Sequence, residues 1–191
     1  SDVCSSDLSV FSLRQSFADE GQAIDVLVNN ASIKMMSGWD DDSFAFSESM
    51  RINLGGLLTI TRVFGADMAL RKRGSIINIG STSAMKMPVR GSGQGFYLPD
   101  YCCQKAALIQ FSKLTASYFG PDQVRCNCIS PTAVRSEHTP QIVVDSFKAK
   151  NMLGRMVGPT DLMGAVVFLA SDASSFITGV NLPVDGGFTT V

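Results

Sequence analysis

Four short runs of apolar residues recur along the chain, and each is continuous rather than alternating with polar positions. Continuous runs rich in Ile and Val are typical of strands in a parallel sheet that is covered on both faces. The pattern therefore predicts four buried strands, at Ile24–Asn29, Ser75–Gly80, Val124–Ser130 and Val180–Val184.

Helices are predicted between these strands, because the intervening segments combine capping residues, helical apolar spacing and clear stop signals. Strands that alternate with helices predict a doubly wound, Rossmann-like α/β domain with a parallel sheet and right-handed crossovers. The predicted helices run from Asp41-Asp42-Ser43 towards Arg73, over about Asp100–Phe119, and from Pro159-Thr160-Asp161 through Phe168-Leu169.

Composition narrows the range of functions. The chain has 191 residues and a net charge of -1, which favours neither nucleic acid nor a membrane surface as a partner. A length of this order suits one domain, and the apolar runs are too short to span a bilayer. One His and five Cys without a C-x-x-C pair predict no metal site and a reduced, cytoplasmic setting.

The first eight residues differ in character from the rest. Asp2-Val-Cys-Ser-Ser-Asp-Leu8 resembles the translation of a sequencing-adapter end, and it shows no apolar periodicity. We expect residues 1–8 to be a non-native leader and residues 9–191 to be the domain proper. An ordinary disordered N-terminus is the alternative.

The start of a dinucleotide-binding fold is not recognisable in the sequence. Such a fold opens with a strand, a glycine-rich turn and a helix that holds the pyrophosphate, and no G-x-G-x-x-G precedes Ile24. We expect a partial domain that lacks its first strands. The run at Ile24–Asn29 would then become an open sheet edge, and the chain by itself would be inactive.

Tyr101 and Lys105 form the first candidate for chemistry. They are four residues apart on a predicted helix, so both side chains lie on one face. A phenol normally titrates near pH 10, and a neighbouring ammonium favours the phenolate. Tyr101 could therefore exchange a proton with a substrate oxygen, although an ordinary surface pair has the same spacing.

Two further polar residues strengthen this candidate. Ser81 follows a strand at its carboxyl end, where open α/β sheets build their sites, although a capping serine would fit there as well. Asn53 precedes Gly55-Gly56 inside a long helix, and these residues are poor choices for a buried helix. They predict a local kink that holds water, with a satisfied core Asn as the alternative.

Six motifs in order resemble the short-chain dehydrogenase/reductase family, from about Ile24 to Gly187. The chain resembles an N-terminally truncated member of this family. The motifs are Asn29-Asn-Ala-Ser32, Ile52-Asn53, Ile76-Ile-Asn-Ile-Gly-Ser81, Tyr101-Cys-Cys-Gln-Lys105, Cys126-Asn-Cys-Ile-Ser-Pro131 and the C-terminal pair Ser171–Gly179 and Val184-Asp-Gly-Gly187.

The resemblance implies an oxidoreductase that interconverts a carbonyl and a secondary alcohol with NAD or NADP. Tyr101 would be the general acid/base, Lys105 would hold the nicotinamide ribose, Ser81 would orient the carbonyl and Asn53 would keep a relay water. Asn29 and Ala31 would line the adenosine side of the groove. Pro131, Val134 and Ser136 would contact the nicotinamide end.

The sequence departs from the family pattern at three places. Ser32 and Thr132 each replace a glycine. Ser81 and Tyr101 are 20 residues apart, which is longer than usual, so Met85–Asp100 reads as an insertion. It either shapes the substrate pocket or forms a surface loop. Tyr97 within it is a rival for the acid/base role, but its i+4 residue is Tyr101 rather than Lys.

The alternatives come from other classes of protein. A non-catalytic relative could bind nucleotide or scaffold an oligomer, but it would not need Asn53, Ser81, Tyr101 and Lys105 together. The resemblance also implies a homotetramer or homodimer for the full-length parent. The choice between NAD and NADP and the identity of the small-molecule substrate stay open.

Overall fold

A computed structural model describes residues 2–87 and 98–190 of the protein. The strands of this part of the chain are β1 Val26–Asn29, β2 Gly74–Ile79, β3 Val124–Pro131 and β4 Asn181–Val184. They form one parallel sheet in the order β1-β2-β3-β4, so the prediction of a parallel α/β fold is confirmed, and each predicted run overlaps one strand. The prediction that all four strands are buried is wrong for β1 and β4, because only β2 and β3 contain buried residues.

The helices of the described residues include the three predicted ones and two that the apolar pattern does not indicate. The helices are α1 Asp2–Asp19, α2 Ser43–Met50, α3 Gly56–Leu70, α4 Pro99–Phe119, α5 Gln141–Lys148 and α6 Met163–Ala170. The long predicted helix consists of α2 and α3, which are joined directly by a π-helical turn at Arg51–Gly55. The unpredicted helices are α1 and α5.

The N-terminal segment belongs to a helix in this structure. Helix α1 covers residues 2–8 together with the following residues, and it packs on α3, where Arg14 Nη2 lies 2.7 Å from Asp67 Oδ1. Phe17 also meets the ring of Phe64 edge to face. The separate origin of residues 1–8 stays a prediction, because a helical conformation is compatible with either origin.

Helices cover both faces of the sheet, and successive side chains of a strand point to opposite faces. On one face, Ile76 of β2 packs with Met68 of α3 and Phe119 of α4. On the other face, Ile77 packs with Leu169 of α6. This two-sided burial explains why the central strands β2 and β3 form continuous apolar runs in the sequence.

The outer edge of the described sheet is strand β1, which pairs with β2 alone. Its Val26 and Val28 side chains are 38% and 43% exposed. The expected open edge is therefore present within residues 2–87 and 98–190. No helix in these ranges has the length and apolar character needed to cross a membrane.

Candidate active site

The carboxyl ends of β2 and β3 approach each other closely at Gly80. A Cβ atom at this position would lie 2.6 Å from Ser130 Oγ and 2.7 Å from Cys128 Sγ. The backbone N–H of Gly80 also donates to Ile129 O at 2.7 Å, which continues the ladder past the strand end. Glycine is required here by space, and the close approach fixes where the next residue, Ser81, leaves the sheet.

Ser81 is buried at this strand end. Its Oγ accepts a hydrogen bond from Ser83 N at 3.1 Å and caps the short 3₁₀ turn Thr82–Ala84. This is the capping function that the sequence analysis left open as the alternative. Because Oγ accepts in this bond, its hydroxyl hydrogen can still be donated to another oxygen.

Lys105 is anchored to the end of β2. Its Nζ donates to Ile79 O at 2.6 Å, and it lies 5.8 Å from the ring centroid of Tyr101. The side chain is 7% exposed, and this burial lowers the pKa of the Lys105 ammonium, with the positive charge of Lys34 acting in the same direction. The structure thus brings Tyr101 and Lys105 together beside the strand that leads to Ser81.

Asn53 lies in the π turn between α2 and α3. Its Oδ1 accepts from Ile33 N at 2.9 Å, while its Nδ2 donates to Ile33 O at 3.0 Å and to Ser49 O at 2.8 Å. The expected helix irregularity is therefore real and takes the form of a π turn, a feature often found at functional sites. The role in holding a water stays a prediction.

Asp100, which the sequence analysis does not select, is fully buried next to Tyr101. Its Oδ2 accepts from Met35 N at 2.9 Å, from Met36 N at 3.3 Å and from Ser49 Oγ at 2.8 Å. Its Oδ1 accepts from Tyr101 N at 2.7 Å. Burial by itself raises the pKa of this carboxyl, but these four hydrogen bonds outweigh it and lower the pKa. An acidic residue in the first turn of a helix is the one sequence signal that pointed here.

A cleft of ≈ 300 Å³ opens along β1 and the π turn. It collects four of the predicted residues: Asn29, Ala31, Asn53 and Lys105 are in its walls. The side-chain nitrogen of Asn29 is already hydrogen bonded, because Nδ2 donates to Asn78 Oδ1 at 2.8 Å. Ser81, Tyr101, Pro131, Val134 and Ser136 do not line this cleft.

The residues predicted for the nicotinamide end lie at and after the end of β3. Pro131 is the last residue of the strand, Val134 forms a bridge with Val157, and Ser136 Oγ lies 3.1 Å from Thr139 Oγ1. Thr132 between them carries a buried hydroxyl without a hydrogen-bond partner among the described residues. A buried hydroxyl without a partner lowers the stability of the folded state.

The C-terminal motif forms a turn around Asp185. Its Oδ1 accepts from Gly187 N at 3.0 Å, and its Oδ2 accepts from Thr189 N at 2.9 Å and Thr189 Oγ1 at 2.6 Å. The two glycines after it have φ values of 62° and 84°, a region that L side chains rarely adopt. The glycines are therefore explained by backbone conformation.

The predicted insertion Met85–Asp100 falls mostly outside the described residues. Residues 88–97, which include Tyr97, are not described. The interpretation of this segment as a pocket wall or a surface loop, and the rejection of Tyr97, stay predictions.

Comparisons with known proteins agree on one family. A family model described as enoyl-(acyl carrier protein) reductase matches residues 2–189. The meso-2,3-butanediol dehydrogenase of Serratia marcescens is 31% identical over 186 residues, which are 95% of this chain and 71% of that protein. The chain belongs to the short-chain dehydrogenase/reductase family.

Other members of the short-chain dehydrogenase/reductase family show the same pattern of overlap. The 3-oxoacyl-[acyl-carrier-protein] reductase of Chlamydia trachomatis is 35% identical, over 91% of this chain and 68% of that protein. The crystal structure of a short-chain dehydrogenase from Leptospira borgpetersenii with bound NAD⁺ superposes with a TM-score of 0.87 at 30% identity. That match covers 96% of this chain and 72% of the Leptospira chain.

Proposed function

We propose that this family member is an NAD(P)-dependent oxidoreductase that interconverts a carbonyl and a secondary alcohol by hydride transfer, with Tyr101 as general acid/base. The observation that carries the proposal is the bond from Lys105 Nζ to Ile79 O at 2.6 Å. It holds the Tyr101–Lys105 face of α4 at the carboxyl edge of the sheet, where α/β folds bind their ligands. The bound NAD⁺ of the Leptospira relative supports the choice of cofactor.

The residues of this chain would divide the work in a simple way. A bound nicotinamide supplies or accepts the hydride. Tyr101 exchanges a proton with the substrate oxygen, and the free hydroxyl hydrogen of Ser81 orients that oxygen. Lys105 would bind the ribose, and its ammonium lies 5.8 Å from the centre of the Tyr101 ring. Asn53 retains the water of the proton relay.

The remaining residues would hold the cofactor along its length. Asn29 and Ala31, which line the cleft, would contact the adenosine side. Pro131, Val134 and Ser136 would contact the nicotinamide end. The buried, unpartnered hydroxyl of Thr132 lies within this second group and fits a polar group of the nucleotide.

A Tyr101→Phe substitution tests the proposal. Oxidation of 2,3-butanediol and reduction of diacetyl are measured with NAD(H) and NADP(H), for this chain and for the full product of its gene. We expect a loss of at least about 100-fold in kcat, the usual contribution of a general acid/base. Tyr118→Phe, an exposed tyrosine of the same helix, is the matched control.

If the protein is a non-catalytic relative, the unsubstituted protein should bind nucleotide but turn over no carbonyl or alcohol. Turnover that survives Tyr101→Phe would instead retain the enzyme and reject Tyr101 as its acid/base.

We further propose a cytoplasmic setting and assembly into a homodimer or homotetramer. The described cysteines Cys102, Cys103, Cys126 and Cys128 are free thiols, which suits a reducing compartment. Leu58 of α3 and Leu114 of α4 are large apolar side chains that are more than half exposed. Light scattering after size-exclusion chromatography measures the assembly.

A further inference from the structure

Lys34 places a second positive charge on the ring of Tyr101. Its Nζ lies 4.6 Å from the ring centroid, nearer than the 5.8 Å of Lys105 Nζ. Two ammonium groups therefore flank the phenol that the proposed reaction uses. A single lysine, Lys105, is enough for the acid/base chemistry described above, so Lys34 calls for a separate explanation.

The backbone on both sides of Lys34 is held by other residues. Before it, Ile33 N and Ile33 O are bound by the side-chain amide of Asn53 at 2.9 and 3.0 Å. After it, Met35 N and Met36 N donate to the buried carboxylate of Asp100. The side chains of Asn53 and Asp100 therefore fix the backbone on both sides of Lys34 and hold this residue beside α4. A lysine in an unconstrained loop would lack these hydrogen bonds.

The charge of Lys34 is available to an incoming molecule. The Lys34 side chain is exposed, and no carboxylate among the described residues forms an ion pair with it. The buried carboxylate of Asp100, which binds the backbone of Met35, has both oxygens occupied by other donors. An accessible ammonium next to a reacting group is best satisfied by an anion, which can accept charge-assisted hydrogen bonds from it.

We propose that Lys34 is a specificity-determining residue that binds an anionic group, a carboxylate or a phosphate, on the substrate whose carbonyl or alcohol faces Tyr101. The inference rests on the proposed function and narrows its substrate class to oxo acids, hydroxy acids and phosphorylated carbonyl compounds. An anion held by Lys34 would place the neighbouring carbonyl within reach of the phenol.

Two pairs of probes, each with one anionic and one neutral member, test this assignment. The dissociation constants of 3-oxobutanoate and its neutral methyl ester, and of dihydroxyacetone phosphate and dihydroxyacetone, are measured by calorimetry. We expect the anionic member of at least one pair to bind roughly fivefold more tightly, as a partly exposed ion pair allows. The pair that shows the preference tells carboxylate from phosphate.

Substitutions then assign the preference to one side chain. Lys34→Met should remove it while the neutral probes bind within about twofold of the unsubstituted protein, and Lys34→Arg should retain most of it. Lys113→Met, at an exposed lysine of α4, is the control that loses the same charge elsewhere. The inference is overturned by the absence of a preference in both pairs, or by a Lys34→Met effect of equal size on charged and neutral probes.

Turnover measured in parallel separates this inference from the proposed function. An active protein without anion preference overturns the role of Lys34 alone. A Lys34-dependent preference in a protein that turns over no carbonyl or alcohol supports the anion site and overturns the oxidoreductase proposal.

Discussion

The hydroxyl of Ser49 donates to Oδ2 of Asp100 at 2.8 Å and joins α2 to α4 through two fully buried side chains. Ser49 Oγ also accepts from Asn53 Nδ2 at 3.2 Å, and Asp100 Oδ1 accepts from Tyr101 N. A continuous line of hydrogen bonds therefore runs from Asn53 to the backbone of Tyr101. The two proposed functional residues are positioned by one buried network.

Asp100→Asn is expected to lower the free energy of unfolding by about 2 to 3 kcal/mol, because the charge is lost and one of the two accepting oxygens becomes an NH₂ group. With the amide oxygen in the position of Oδ2, this NH₂ group faces the backbone N–H of Tyr101, from which it cannot accept. Ser49→Ala removes one of the donors to Asp100 and should cost about 1 to 2 kcal/mol. Urea denaturation followed by circular dichroism measures both changes. Ser47→Ala, on an exposed position of the same helix, is expected to stay within about 0.5 kcal/mol. An Asp100→Asn protein as stable as the unsubstituted one would contradict the network.

The stability that Asp100 provides should depend on pH in one direction. Its hydrogen bonds hold its pKa in the folded protein below the ordinary value of 3.8. The unfolded chain therefore takes up the proton first, so the contribution is complete above the ordinary pKa and is lost as pH falls through the lower, folded pKa. The difference in unfolding free energy between the protein and Asp100→Asn should be constant from about pH 5 to 7 and shrink below about pH 4. A difference that grows towards acid pH would contradict the assignment.

Gly187→Ala tests the turn of the C-terminal motif. The residue has a φ of 84°, and an added Cβ would lie 2.8 Å from Met152 Sδ. We expect a loss of about 1 to 2 kcal/mol in unfolding free energy, measured by urea denaturation.

Gly164→Ala provides the matched control for that substitution. Gly164 lies in α6, where a Cβ meets no atom within 4 Å, so alanine should stabilise the helix by up to about 1 kcal/mol. Equal effects at Gly164 and Gly187 would contradict the conformational explanation.

The cysteines should react with iodoacetamide at very different rates. Cys126 and Cys128 are fully buried in β3, and burial raises the pKa of Cys126 to about 12. Since the thiolate is the reacting form, both should resist alkylation in the folded protein, while the exposed Cys103 is modified first. Peptide mapping by mass spectrometry follows each site, and labelling in urea should remove the difference. Modification of Cys126 at the rate of Cys103 in the folded state would show that β3 is not closed.

The sequence predicts the central strands β2 and β3 well, because they are buried on both faces. Ile76 and Ile77 point to opposite faces and are both buried, so the apolar run is continuous and easily recognised. Helix α4 is equally easy to predict from the sequence, because Gly120 and Pro121 mark its end. Helix α5 is harder to predict from the sequence, because its amphipathic Gln141–Lys148 segment is short and its end residues are polar.

The candidate site could be predicted only where a motif identifies it. Tyr101, Lys105, Ser81 and Asn53 follow from spacing and resemblance, and the structure brings Lys105 to the strand before Ser81. Asp100 has only the weak signal of an acidic residue in the first turn of a helix, and Lys34 has none. Their partners lie 51 residues away at Ser49 and 67 residues away at Tyr101, so only the folded chain reveals these contacts.

The π turn at Arg51–Gly55 also has a consequence for the evolution of this helix. One additional residue in a helical turn rotates everything that follows by about 100°. This rotation lets α2 direct Ser49 towards Asp100 of α4 while α3 directs Met68 towards the sheet core. Deleting one residue from the turn would restore a regular helix. The buried polar network of α2 and the apolar core contacts of α3 could then not both form.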